Sequence, residues 1–234
     1  MWGPMTTKSW LPAVLSVNAG FVDTSGFLAL HGLFTAHVTG NFVTIGASLV
    51  TGTSGIITKL LALPMFCIVI VLVRQLHYLL VEKKWPVVRT LLLIKLVLLV
   101  FAAACAIHFG PFERSDTLYG AVTGLSLVAA MSIQNALHRV HLGATPPSTM
   151  MTGTTTQIML DVADWMRPPA PGERRAIGPK FIAMLQAVLA FAIGCAMGAC
   201  SYAAWSMWCF AIPPVIALIA FFLRDPNLDS PSPK

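Results

Sequence analysis

Charge is what this sequence has least of. Asp, Glu, Lys and Arg make up only 10% of its 234 residues, where a soluble domain carries roughly 25%. With 56% hydrophobic residues and a mean hydropathy of +0.77, the chain does not read as a water-soluble domain. In lipid each charge at depth is costly, so scarcity of charge is what a bilayer demands.

Catalytic motifs are missing too. No Gly-x-Ser-x-Gly, His-Glu-x-x-His, P-loop or paired-carboxylate pattern occurs, so neither an enzyme nor nucleotide-driven transport is expected. Cys67, Cys105, Cys195, Cys200 and Cys209 all lie in apolar stretches and form no Cys-x-x-Cys pair. Neither a zinc site nor a disulfide framework follows, and no metal or cofactor is expected. A cleavable signal peptide is not expected either: Lys8 is the lone early cation, and Asn18, Gly20 and Asp23 break the apolar run behind it. The net charge of +6 suggests nucleic acid at first, but the basic residues sit in short runs between apolar segments. That is topology information, so no nucleic-acid partner is expected.

What is present is a series of long apolar runs. A helix needs about 20 such residues to cross the hydrocarbon core. Residues 10–34, 56–81, 88–110, 117–137, 177–200 and 203–223 qualify, giving six expected spans. Residues 40–50 and 153–166 are too short; an 11-residue helix is about 16 Å long, roughly half the core.

If the N-terminus is cytoplasmic and the short segments are re-entrant, eleven basic residues fall inside: Lys8, Lys83, Lys84, Arg89, Arg139, Arg167, Arg174, Arg175, Lys180, Arg224 and Lys234. Only Lys59 and Arg114 fall outside, and Arg74 and Lys95 could reach the inner face by snorkelling. This asymmetry favours six crossings with both termini inside, because eight would put the Arg139 and 167–180 loops on opposite faces.

The span order long, short, long, long occurs twice, over 10–110 and 117–224, with a linker at 111–116. The short segments open alike. Thr35-Ala-His-Val-Thr39-Gly40-Asn41 leads one and Ser148-Thr-Met-Met-Thr152-Gly153-Thr154 the other. Asp23 upstream of the first has a rough counterpart in Asn135 upstream of the second. An odd number of spans per half inverts one half against the other, the plan of many transporters. The expected fold is therefore an all-α membrane protein: six transmembrane helices plus two short re-entrant half-helices, as an inverted repeat of two three-span halves. It forms one membrane domain with a disordered tail at 225–234.

The stretch Ala19-Gly-Phe-Val-Asp23-Thr-Ser-Gly-Phe-Leu followed by His37-Val-Thr39-Gly40-Asn41 resembles the YoaK-like family of bacterial membrane proteins. Gln134-Asn135-Ala136 followed by Thr152-Gly153-Thr154 resembles that family's second signature. The resemblance covers nearly the whole chain. It implies a bacterial inner-membrane protein of about this length and implies no function. Thr154 stands where the first signature has Asn41, so the two turns need not act alike.

A half-helix starting near Thr39 or Thr152 would be capped by the threonine hydroxyl, and the glycine would permit a sharp turn and close approach. Two such N-termini meeting in the membrane would suit an anion or an electron-rich oxygen. Equally, Thr-Gly could serve only tight helix crossing. Asp23 is the one acid central in a span, a functional-site hypothesis by default. It could couple protons to transport, or simply cap a half-helix. His31 and His37 flank the first turn and read as packing histidines. The candidate substrate site is Asp23, Thr39, Gly40, Asn41, Asn135, Thr152, Gly153 and Thr154, in a small secondary transporter or permease for an unknown solute or ion. The alternative is a non-transporting scaffold or partner subunit. The bilayer is the expected surrounding. Gly194-x-x-x-Gly198 and Gly120-x-x-x-Gly124 are expected helix-packing faces, in the bundle or at a homodimer. Pro213-Pro214 should kink or break the last span.

Overall fold

The structure, a computed structural model, describes residues 10–167, 178–224 and 228. Among them every regular element is helical: α1 Leu11–Ala29, α2 Gly40–Thr51, α3 Ile56–Glu82, α4 Val87–Phe109, α5 Leu118–His141, α6 Met151–Trp165, α7 Pro179–Trp205, a 3-10 helix Ser206–Ala211, and α8 Ile212–Leu223. Four segments of the described chain are long and apolar enough to cross a membrane: α3, α4, α5 and the run Pro179–Leu223. The expected tail lies outside the described residues apart from Leu228, as do Lys8, Arg174 and Arg175.

Several boundaries move from their expected places. The first helix ends at Ala29 rather than at 34, because His31 (φ 53°) and Gly32 (φ 86°) turn the backbone out of the helical region. The fifth expected span, α7, continues to Trp205, past the expected stop at 200. The break that follows falls at Ser206, with φ 48°. Pro213 and Pro214 do not kink a helix; they sit in the first turn of α8, where a missing N–H costs nothing. The 3-10 helix and α8 together extend about 30 Å. They run back along α4: Met207 lies against Gly110 at its end, and the Phe221 ring lies 5.8 Å from the Arg89 guanidinium at its start.

Helix α1 lies at the centre of the bundle and buries polar groups, among them Ser16, Asn18, Asp23 and Ser25. It packs along α7 at backbone contact distance. A Cβ at Gly20 would stand 2.2 Å from the Phe191 carbonyl oxygen, one at Gly194 2.1 Å from that of Val17, and one at Gly198 2.8 Å from that of Phe21. The pairs Val17–Gly194 and Phe21–Gly198 advance together, so α1 and α7 run parallel. The Gly194–Gly198 face is thus occupied by α1 within the chain. In the same way α3 and α5 run side by side and parallel. Thr58 meets Asp116 just before α5 begins, and the His77 and His141 rings lie 5.2 Å apart near the other end.

The packing partners repeat between the halves. α1 packs on α7 as α5 packs on α3; α4 packs on α5 as α8 packs on α1; α2 rests on α3 as α6 rests on α7. The start of α3 is tied down by Asp116. Its carboxylate accepts from the N–H groups of Gly55 at 2.9 Å and Thr58 at 3.0 Å, and from the Thr58 hydroxyl at 3.1 Å. Burial works against that charge, but these hydrogen bonds, led by the Thr58 and Gly55 N–H groups, hold the carboxyl below its usual range.

Candidate functional site

Each short helix follows a segment that folds back on the helix before it. After α1, residues 30–39 return to the level of Asp23. The Asp23 Oδ1 atom accepts the N–H of Thr35 at 2.7 Å and of Ala36 at 2.8 Å, and the Thr35 hydroxyl at 3.2 Å. Oδ2 pairs with His37 Nδ1 at 2.6 Å. Asn41 fixes the same segment from the other side, accepting from the Phe34 N–H at 2.8 Å and donating to its carbonyl at 2.9 Å. Asp23 and Asn41 are 4% and 2% exposed, so these bonds satisfy buried groups that would otherwise be costly.

After α5, residues 142–150 fold back to Asn135 in the same manner. The Thr149 hydroxyl donates to Asn135 Oδ1 at 2.5 Å, and Asn135 Nδ2 donates to the Met131 carbonyl at 3.0 Å. The neighbouring Gln134 ties three elements together. Its Nε2 donates to the Leu15 carbonyl and to the Ser148 hydroxyl, both at 2.9 Å, and its Oε1 accepts from Lys95 Nζ.

The threonines do not act as expected. Thr39 stands at the N-cap position of α2 but makes no side-chain cap bond. Thr152 lies inside α6, whose N-cap is Met150, also without a side-chain cap. Both threonines are exposed, and the work of holding the turns falls to Asp23, Asn41 and Asn135. A Cβ on Gly40 would meet the Phe34 ring at 2.9 Å, whereas one on Gly153 would meet nothing within 4 Å.

A cavity of about 990 Å³ lies among α3, α5, segment 142–150 and the starts of α6 and α7. Asn135, Gly153 and Thr154 line it; Asp23, Thr39, Gly40, Asn41 and Thr152 do not. The second turn faces this cavity, and the first turn is held by Asp23 and Asn41 without lining it.

With this geometry in place, the chain can be set beside known proteins. A sequence family described as "Protein of unknown function (DUF1275)" matches residues 11–223. The chain belongs to the DUF1275 family. Its resemblance to YoaK-like proteins is consistent with that membership. Neither the curated proteins nor the solved structures hold a match to this DUF1275 chain. Among the described residues no three His, Cys, Asp or Glu side chains group as metal ligands.

Three features of this DUF1275 structure were not legible as site residues. His37, read as a packing histidine, is the hydrogen-bond partner of Asp23. Lys95 does not snorkel to an aqueous face; it is 1% exposed and bonded to Gln134. The signal for it was present in α4, where Leu91, Leu92, Lys95, Leu99, Ala102 and Ala106 form one buried stripe. Lys59 likewise turns inward, donating to the Ser48 hydroxyl at 3.0 Å.

Proposed function

We propose that this DUF1275 protein is a six-crossing permease of a bacterial inner membrane, built as an inverted repeat with both termini in the cytoplasm. We read it as a carrier rather than an enzyme. Its solute compartment is the cavity among α3, α5, α6 and α7, with Asn135, Gly153 and Thr154 facing the solute. Asp23 and Asn41 hold the matching turn of the other half, and Thr39, Gly40 and Thr152 complete the two turns.

The observation that carries the reading is the cavity's position. It lies against an irregular segment folded back between helices, with a half-helix leaving it. In lipid, irregular backbone persists only where protein buries it or a wet cavity receives it. Transporters built as inverted repeats place their sites at such interrupted helices. The repeat is supported by the exchange of packing partners between halves and by the paired fold-backs at Asp23 and Asn135. Six crossings are supported by α1 running parallel to α7, and by the 3-10 helix and α8 returning along the length of α4. The orientation is supported by the charges: Lys83, Lys84, Arg89, Arg139, Lys180 and Arg224 belong to the same end of the bundle.

The test is uptake into liposomes carrying the purified protein, over labelled organic acids, amino acids and sugars, with a pH gradient imposed. Wild-type protein should accumulate at least one class above empty liposomes, and Gly153→Val with Thr154→Leu should abolish it. Transport unaffected by that filled variant would remove the compartment from the site. Cysteines introduced at Thr53 and Trp165 in a background without native cysteines should label from opposite sides; labelling from one side overturns the inverted repeat.

A second reading, a non-transporting scaffold, is favoured by one observation. Both oxygens of Asp23 are taken by the chain's own turn. No accumulation of any class would support it.

A further inference from the structure

We infer that the cavity binds an amphiphilic anion: a carboxylate or phosphate head on an apolar body. This rests on the cavity being the solute compartment and names the chemistry it takes.

The charge around the cavity has one sign. Arg74, Arg139 and Lys180 line it, and among the described residues no Asp or Glu does. Asp161 stands behind the lining residue Gln157 and accepts its amide proton at 2.7 Å. Arg74 is steadied by Tyr78, donating to the phenol oxygen at 2.9 Å with the guanidinium 4.5 Å from the ring centre. A cleft lined by charge of one sign concentrates ions of the opposite sign.

The backbone adds to this, since α6 begins at the cavity with no side chain capping its first N–H groups.

The size and the remaining lining decide what the anion carries. A cavity of about 990 Å³ is far larger than an inorganic phosphate requires, and sites of this volume hold drug-sized molecules. Phe66, Ile70, Val73, Leu91 and Met184 line it as well. A charged head at the cations and an apolar body against these side chains match both parts.

The test uses the full protein in nanodiscs of zwitterionic phosphatidylcholine, with labelled octyl phosphate in equilibrium dialysis against empty discs. Saturable excess binding is expected, displaced by octanoate but not by octyltrimethylammonium. Inorganic phosphate should compete at least tenfold more weakly. Arg139→Gln with Lys180→Gln should weaken binding at least tenfold while the thermal unfolding midpoint holds. Lack of saturable binding, or equal displacement by the cationic amphiphile, overturns the inference. Phosphate competing as well as octyl phosphate overturns its apolar half. Discs containing phosphatidylglycerol separate the sources: displacement assigns a membrane-lipid head group, and none assigns a free acid, both within the inferred chemistry. Binding without uptake would remove the permease and leave the site. Uptake without anion preference would remove the site and leave the permease.

Discussion

Asp23 accepts the backbone N–H of Thr35 at 2.7 Å, so the chain that leaves α1 at Ala29 has come back about 9 Å along that helix before α2 begins. Asn135 and Thr149 stand in the same relation at the end of α5, again about 9 Å back from His141. The carboxylate and the amide do one job: each anchors a return segment that the bilayer would not otherwise tolerate.

Removing the first anchor should therefore be expensive. Asp23→Ala strands the N–H groups of Thr35 and Ala36, and each buried unsatisfied donor costs about 1–3 kcal/mol. Asp23→Asn keeps an acceptor oxygen and should lose about half as much or less. Thermal unfolding in a mild detergent reads the order wild type, Asn, Ala. An Ala variant as stable as wild type would contradict the anchor role.

At the opposite loop, Asp116 gives a pH signature. Its carboxyl is held below the ordinary value of about 3.9, so its contribution is present above that value and is lost as pH falls through the folded-state pKa. Asp116→Asn should cost about 1 kcal/mol at neutral pH, the usual worth of a helix cap. The gap between variant and wild type should close below about pH 4. A gap that stays constant down to pH 3 would show that charge is not what matters there.

Lys95 and Gln134 should be coupled. Gln134→Leu leaves the buried Lys95 amine without its acceptor, while Lys95→Met with Gln134→Leu removes both. A double-mutant cycle on unfolding should give a coupling of about 2 kcal/mol. Additive single changes would mean that the pair does not interact in the folded protein.

Gly20→Val should separate α1 from α7, because the Cβ would meet the backbone of Phe191 and Cys195 and no side chain can move aside. In lipid no hydrophobic force draws helices together, so lost backbone proximity is not regained elsewhere. A loss of about 2 kcal/mol or more is expected, read as a lower unfolding midpoint. Gly46→Ala, where a Cβ meets nothing within 4 Å, is the control that should leave the midpoint in place.

Part of this was legible in one dimension. The apolar runs located α3 and α4 to within a few residues, because hydropathy reports directly what partitions into lipid. The likeness of the segments before Gly40 and Gly153 marked both turns, since turn chemistry is local. The sequence could not show that Thr39 leaves the cap unmade, because the carbonyls of His37, Val38 and Thr39 take the first N–H groups of α2. Lys95 was misplaced for a related reason. A lysine in an apolar run can turn outward or inward, and only the neighbour, Gln134 on another helix, decides which.

By itself, then, the sequence determined that this chain is helical, apolar and built of long segments interrupted twice by short ones. Those properties follow from transfer free energies and backbone propensities that each residue carries with it. Only the tertiary structure decided that the first turn closes on Asp23 and His37 while the second faces a cavity. Both turns have similar sequences, but what lies beyond each depends on which helices pack there: α1 and α7 close enough for backbone contact, α3 and α7 far enough apart to leave a space.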